Sequence, residues 1–536
     1  EWTLTRHVAA GEDHRVALHW RPRSGPTASY TYGDLHRAAS RFASGLTREG
    51  LTPGDRVAIL AGRIPELLVA LLGSLRAGAV PTVLFSSFGP DPVRRRLALA
   101  RARLLVTTPR LYRDKVEDLR GQLPDLRQVL LVDDPGSLAA TAFRGSLPEG
   151  TVDLGSWLGR GDASTPDASV SSDDMALLHF TSGTSGEPKG VLHAHEALVA
   201  HAHTGHAVLG LRRGLRYWCT ADPGWVTGVS YGILAPLAAG STVFMDEEEF
   251  EARRWWENLA REGVEILYTS PTALRLLRAF DAAGVPRRPL PSLQGVFSVG
   301  EVLAHAEATW AEAALGTAVR DTWWQTETGS IVVATPLDTT PEAGVIGSAV
   351  EGFEVACLER TAGGVEEVAS GEVGELAVRA GWPSMFRGYL DRPDLYEESF
   401  QDGWYLSGDL ATRGADGRIR YVGRLGDVFK SAGHLVSPAE VEDVLLEHDA
   451  VADAGVWGRD DAMAGKVIEA HVVLSAGRED GTALRQEILA FARSRLGPAL
   501  APRALHIRSQ LPRTPSGKIL RRSMGPSPSS PREGVS

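Results

Sequence analysis

Ten residues, Thr181 to Gly190, read Thr-Ser-Gly-Thr-Ser-Gly-Glu-Pro-Lys-Gly and constrain this chain more than any other stretch. Glycine lets the backbone bend until successive N–H groups face one concavity, a nest for anions. Here Gly183 and Gly186 supply that freedom, Thr181, Ser182, Thr184 and Ser185 add hydroxyl donors, and Lys189 adds a mobile positive charge. The stretch follows an apolar run, Met175 to Phe180, that reads as a buried strand. It precedes Val191-Leu192 and a helix expected to be capped near His195. It is not a Walker A loop, which ends Gly-Lys-Ser/Thr, because Glu187-Pro188 separates Gly186 from Lys189. A flexible Gly/Ser linker has a similar composition. A linker seldom joins a buried strand to a helix, so a phosphate-cradling loop is the favoured reading.

At 536 residues the chain exceeds what one core supports, and two or more domains are expected. Hydrophobic content of 43% and charged content of 23% are those of a soluble globular protein. A net charge of −11, without a Lys/Arg block, argues against general nucleic-acid binding and against an anionic membrane surface. Two cysteines, Cys219 and Cys357, make no disulfide framework. With no visible signal peptide, they fit a cytoplasmic protein. The apolar stretch Leu67 to Phe85 is broken by Arg76 and Pro81 and reads as a core helix followed by a strand, not a membrane span.

From about Tyr30 to Thr108, helix and strand alternate: helix Tyr32 to Gly50, strand Arg56 to Ala61, helix Ile64 to Ala77, strand Val80 to Phe85. Alternation resumes with strands at Tyr217 to Ala221, Leu267 to Ser270 and Gly295 to Ser298. The fold class expected is therefore α/β, with largely parallel, helix-covered sheets. Short Gly- and Glu-rich strands from Gly344 to Arg379 predict an antiparallel β-subdomain. A helix Pro438 to Glu447, strands Ala452 to Trp457 and Val467 to Leu474, and a helix Ala483 to Leu496 predict a small α+β domain. The expected division is 1–425, 426–522 and a Ser/Pro-rich disordered tail, 523–536. There is no internal repeat.

Four further segments accompany the loop: Ser298-Val-Gly-Glu301, Asp321-Thr-Trp-Trp-Gln-Thr-Glu-Thr-Gly329, Trp404-Tyr-Leu-Ser-Gly-Asp409 with Gly423-Arg424, and Pro515-Ser-Gly-Lys518. In this order the five resemble the AMP-forming acyl-CoA synthetases of the adenylate-forming superfamily, from about Tyr30 to Arg522. Within them the chain is most similar to the acetyl-CoA synthetase branch, which shares the Asp321–Gly329 string and Pro223-Gly-Trp-Val-Thr-Gly228.

The resemblance implies a two-step reaction. A carboxylate attacks the α-phosphorus of ATP, releasing pyrophosphate and leaving an acyl-adenylate. The coenzyme A thiol then displaces AMP. Attack of one anion on another needs charge neutralisation, which the amide-rich loop, Lys189 and Mg²⁺ suit. By resemblance, Glu327 carries Mg²⁺ and Thr326 places a hydroxyl at the α-phosphate. Asp409 accepts the ribose hydroxyls with Arg424 behind it. Gly300, Glu301, Asp321, Thr322, Trp323 and Gln325 surround adenine and ribose. Lys518 is the catalytic lysine of the first step, on a small domain that rotates between half-reactions. Relatives are acetylated there, which implies a lysine acetyltransferase and a deacetylase as partners.

Trp324 matches the floor of the acyl pocket in acetate-activating members, with Val226, Thr227 and Val299 as walls. A rigid indole fills the volume a longer alkyl chain needs, so acetate, with propionate next, is the expected substrate. For coenzyme A, Arg493 matches a phosphate-contacting arginine, and Gly433 lets the pantetheine pass close to the backbone. Three positions depart from the family pattern. Gly426 stands at the hinge where Asp or Lys is usual, Leu435 where Arg is frequent, and Val302 in place of proline.

Other readings start from other residues. Gly228-Val-Ser-Tyr-Gly232 fits a hydrolase nucleophile elbow around Ser230, but a Pro-Gly-Trp loop precedes it where a strand is needed. His193, His195, His201, His203 and His206 lack a His-Glu-x-x-His arrangement and partner cysteines; they are expected at a helix start and on its solvated face. Trp255-Trp256 and Cys219 read as core. A non-catalytic ATP-binding module would not need Lys518 and the pocket residues together. A closer alternative keeps the adenylation but delivers another small acid to a carrier-protein thiol or another nucleophile; Arg493 favours free coenzyme A.

Overall fold

Strands that read as unbroken apolar runs become the interior of parallel sheets, because helices cover both faces. In the computed structural model Arg56–Leu60 is the second strand of a five-stranded, all-parallel sheet ordered Val80–Val83, Arg56–Leu60, Leu104–Thr107, Gln128–Leu131, Thr151–Asp153. The structure describes all residues except 139–142, 144–145, 183–187, 432–433, 462–464, 514–518 and 526–536, and the side chains of Ser182, Leu435, Gly465, Ala499 and Arg522 are likewise outside it. Helix Tyr32–Arg48 starts in a reciprocal cap, Thr31 Oγ1 accepting from Asp34 N at 3.1 Å and Asp34 Oδ2 accepting from Thr31 N at 2.9 Å. Its buried face includes Leu35, Ala39, Phe42 and Leu46.

A second, nine-stranded sheet carries the central parallel strands Val319–Trp323, Gly295–Val299, Ile266–Thr269, Arg216–Cys219, Thr242–Asp246 and Val16–Arg21, with antiparallel strands at both edges. Trp255 and Trp256 are core residues, as expected, on helix Ala252–Arg261. The antiparallel β-subdomain extends beyond the expected span: Val355–Thr361, Gly364–Glu367, Val373–Arg379, Phe400–Gln401, Trp404–Arg413 and Ile419–Arg424 form one sheet.

The C-terminal part has strands Val451–Asp461, Gly465–Leu474 and Ala504–Ile507 in one sheet, with helices Pro438–Leu446 and Thr482–Leu500. The last helix breaks at Gly497, whose φ is +73°, just where the sequence pattern stops at Leu496. This part has its own apolar cluster, from Phe429 to Leu505, to which, among the described residues, only Ala304 comes from earlier in the chain. Polar contacts across to the preceding part include Arg275, which donates to Glu307 at 3.0 Å and to Asp453 at 3.5 Å, and Ser437 Oγ, which donates to Val422 O at 2.5 Å. Arg513 also donates to Asp453, at 2.8 Å.

Three expectations are corrected. Around Thr181–Gly190 the strand and the helix are where expected, Met175–Ser182 and Ala197–Ala207, but between them Pro188–Ala194 is a second strand, antiparallel to the first and pairing Lys189 with Thr181. The five histidines are not one solvated face: His193 lies on the second hairpin strand, and His193 and His201 are both 2% exposed. Met524, assigned to the tail, is 4% exposed, because its thioether packs onto the C-terminal sheet near Gly455.

Candidate active site

In open α/β sheets, ligands bind outside the carboxyl ends of the strands. Three of the sequence motifs sit there, at the ends of parallel strands of the nine-stranded sheet. Ser298–Glu301 ends Gly295–Val299, Asp321–Gly329 ends the adjacent Val319–Trp323, and Pro223–Gly228 follows Arg216–Cys219, beyond the intervening Ile266–Thr269. Ser298 is in register with Asp321 and Val299 with Thr322. Ser298 Oγ accordingly donates to Asp321 Oδ1 at 2.6 Å, which also accepts from Thr322 N at 3.0 Å. Desolvation pushes the Asp321 carboxyl up to about 7. Gly300 turns the chain at φ +92°, and Glu301 accepts from Thr272 Oγ1 at 2.7 Å.

The loop after Trp323 is fixed from behind. Trp382 Nε1 and Ser384 Oγ donate to Thr328 O at 2.8 and 2.7 Å, and His201 Nε2 to Gly329 O at 2.8 Å. His193 Nδ1 donates to Ser384 O at 3.1 Å. A nitrogen facing a carbonyl must carry the proton, so both rings are donors there. Burial pushes His193 down to about 4 and His201 to about 3, which keeps both neutral. Gly329 has φ +73°, and a Cβ there would lie 2.2 Å from Ser384 O. No other residue fits.

This frame presents Glu327 toward the hairpin. Tyr389 Oη donates to Glu327 Oε1 at 2.8 Å, and Lys189 Nζ lies 5.2 Å from the Tyr389 ring centre. Burial and the adjacent carboxylate hold the Tyr389 phenol well above its ordinary value, so it remains a donor. Thr326 adjoins Glu327. The structure thus gives Lys189 and Glu327 a common neighbour, Tyr389, which sequence reasoning missed.

Asp409 is 3% exposed and surrounded by donors. Trp323 Nε1 and Gln325 Nε2 donate to Oδ2 at 3.0 and 2.6 Å, while Arg424 Nε and Tyr421 Oη approach Oδ1 at 3.1 and 3.3 Å. A carboxylate offers about four lone-pair sites; three take these hydrogen bonds and Arg424 adds an ion pair, so the group is held as a charged acceptor. Arg424 is held protonated by the Asp409 charge. Gln325 is oriented in turn by Tyr405 Oη, which donates to its Oε1 at 2.7 Å. It therefore holds Asp409 in place more directly than it lines a pocket.

Val226, Val299 and Trp324 fall into one apolar cluster with Tyr217, Tyr231, Tyr268 and Phe297. Thr227 is buried next to Val226 at the start of the short helix Val226–Val229. Ser230 follows in a π-helical turn, 1% exposed, rather than on a strand-to-helix elbow, which removes the hydrolase reading. Cys219 is pushed up to about 12 by burial and is not a nucleophile.

Arg493 is exposed on helix Thr482–Leu500, and Gly426 lies in the turn after Arg424, where a Cβ would meet nothing within 4 Å. Gly183, Thr184, Ser185, Gly186, Gly433 and Lys518 lie outside the described residues, as do the side chains of Ser182 and Leu435. Glu469, His471 and His506 cluster in the C-terminal sheet with metal-like spacing. Arg459 pairs with Glu469 and Arg508 Nε donates to His471 Nδ1 at 3.2 Å, so two cations already claim two of these ligands.

Comparison with known proteins identifies the family. The AMP-binding enzyme family matches residues 5–390, and the AMP-binding enzyme C-terminal domain matches 440–518. The chain is 35% identical to the acetyl-coenzyme A synthetase of Bacillus subtilis (strain 168) over 525 residues, 97% of this chain and 88% of that one. The crystal structure of a Brucella canis acyl-CoA synthetase is 32% identical with a TM-score of 0.72, covering 96% of this chain and 91% of that one. The anthranilate CoA ligase AuaEII, solved with anthranoyl-AMP, shares the fold at a TM-score of 0.86 and 24% identity, over 97% of this chain and 95% of that one. Among the described residues no helix is long and apolar enough to cross a membrane. The chain belongs to the AMP-binding enzyme family, as an AMP-forming acid–thiol ligase of the acetyl-CoA synthetase-like kind.

Proposed function

We propose that the chain adenylates acetate, with propionate as the next best acid, and passes the acyl group to coenzyme A in the cytoplasm. The observation that carries this reading is the clustering of Val226, Val299 and Trp324 beside the strand end that bears Thr326 and Glu327. An indole there leaves room for a short alkyl group only. Each added methylene is worth about 1–3 kcal/mol in such a pocket. The acetyl-coenzyme A synthetase relatives support it.

In this reading Gly183, Thr184, Ser185 and Gly186, with Thr181, Ser182 and Lys189, grip the triphosphate. Glu327 would hold Mg²⁺: the Tyr389 bond uses Oε1, and Oε2 is the hard oxygen donor such an ion takes. The ion would neutralise charge between two anions. Thr326 sits at the α-phosphate, Asp409 and Arg424 at the ribose, and Gly300, Glu301, Asp321, Thr322 and Trp323 around adenine. Lys518 supplies positive charge to the first step and leaves with the domain that begins after residue 425, pivoting at Gly426. Arg493 and Gly433 take coenzyme A. Lys518 is also the site a lysine acetyltransferase and deacetylase would act on. The separate C-terminal apolar cluster supports two units that can move apart.

A pyrophosphate-release screen over small carboxylic acids, with and without coenzyme A, tests this. Acetate should give the highest kcat/KM, and thioester should form only with coenzyme A. Preference for an acid of five or more carbons would refute the pocket.

A further inference from the structure

Trp324 Nε1 donates to Tyr268 Oη at 3.0 Å. Tyr268 Oη lies 2.8 Å from Thr322 Oγ1, and Thr322 Oγ1 donates to Ser298 O at 2.7 Å. An indole N–H can only donate and a carbonyl can only accept, so the direction of the whole chain is set. Thr322 spends its proton on Ser298 O, and Tyr268 therefore donates to Thr322. Every hydroxyl gives one bond and receives one. Tyr268, Thr322 and Trp324 are 0, 4 and 9% exposed, so water offers little substitute.

The sheet makes this possible. Tyr268 is in register with Phe297, and Val299 with Thr322, on three adjacent parallel strands, so these residues share one face. Tyr231 closes the other side. Its ring meets Trp324 edge-on at 5.0 Å and 73° and Tyr268 at 5.9 Å and 88°. Its own hydroxyl is tied to Thr204 Oγ1 at 2.6 Å and to Ile331 N at 2.7 Å. Turning the indole would orphan its N–H and break both ring contacts.

We propose that Tyr268 is a positioning residue for acid specificity: its hydroxyl locks the Trp324 indole in the orientation that limits the acyl chain. The chain-length limit is therefore set by Trp324 volume and by a hydrogen bond from the neighbouring strand. This rests on the reading of Trp324 as the pocket wall.

The test measures kcat/KM for acetate, propionate and butyrate by pyrophosphate release in Tyr268→Phe, Trp324→Phe and the double variant. Losing one buried hydrogen bond should raise the propionate-to-acetate ratio about tenfold in Tyr268→Phe. The acetate loss should fall mainly on KM. In the Trp324→Phe background, which has no N–H to hold, Tyr268→Phe should change the ratio no further. A ratio within about twofold of the parent in Tyr268→Phe, or an undiminished shift in the Trp324→Phe background, overturns the proposal. If Tyr268→Phe does not fold, Thr322→Val cuts the next link and should shift the ratio in the same direction; no shift overturns it too. Trp324→Gly separates the two ideas. A changed chain-length profile there with an inert Tyr268→Phe removes only the positioning role, whereas an unchanged profile in Trp324→Gly removes the pocket itself.

Discussion

Replacing Asp409 by Asn keeps the shape of the side chain and removes its charge and one acceptor. Four donors converge on the native carboxylate: Trp323 and Gln325 on Oδ2, Tyr421 and Arg424 on Oδ1. An asparagine can serve one pair with its carbonyl and must turn its NH₂ toward the other. If the carbonyl faces Arg424 and Tyr421, the Trp323 N–H and the Gln325 amide are stranded. Gln325 can flip, at the expense of the Tyr405 bond at 2.7 Å; the indole cannot adapt. One orphaned buried donor costs about 1–3 kcal/mol. Arg424 is 51% exposed, so its lost ion pair adds only about 0.5–1 kcal/mol after solvent screening. The sum, about 1.5–4 kcal/mol, is a large share of a typical stability of about 5–15 kcal/mol yet leaves the protein folded. Urea unfolding followed by tryptophan fluorescence reads it as a lower midpoint at unchanged slope. ATP binding to the folded variant should weaken as well. A stability change below about 0.5 kcal/mol would show that the four donors do not depend on the carboxylate, and the reasoning would fail.

Gly329→Ala forces a Cβ to 2.2 Å from Ser384 O at φ +73°; the left-handed conformation alone costs about 1–2 kcal/mol, so a loss above about 3 kcal/mol with displaced Glu327 is expected, and parental melting would refute it. His201 is pushed by burial to about 3, below its ordinary 6.5, so its contribution is complete above pH 6.5 and is lost as pH falls toward 3. His201→Gln can donate the same bond without titrating and should gain about 2 kcal/mol on the parent between pH 7 and pH 5; a pH-independent difference would count against it. Lys518→Ala should slow acetyl-adenylate formation by about 10²–10³-fold while sparing thioester formation from supplied adenylate, and equal loss of both steps would refute the division.

Much of the architecture was legible because it is local. The apolar runs at Arg56–Leu60, Ile266–Thr269 and Gly295–Val299 carry their own burial signal, and helix Thr482–Leu500 stops being helical where Gly497 follows Leu496. The hairpin was not legible. An apolar run such as Met175 to Phe180 has the same composition in a parallel sheet as in a hairpin, and the pairing of Thr181 with Lys189 is visible only in register. The histidines misled for a related reason: clustered polar residues suggest a wet face, but His193 and His201 are spent on carbonyls of Ser384 and Gly329.

By itself, then, the sequence determined the types of chemistry available: the hydroxyl- and glycine-rich loop, the carboxylates Glu327 and Asp409, and the indole of Trp324. Tertiary structure alone decided how each is held. Tyr389 reaches Glu327 from 62 positions away and Tyr268 reaches Trp324 from 56. Such pairs arise from strand order and register, which depend on how whole sheets bury their faces and leave no trace in local spacing.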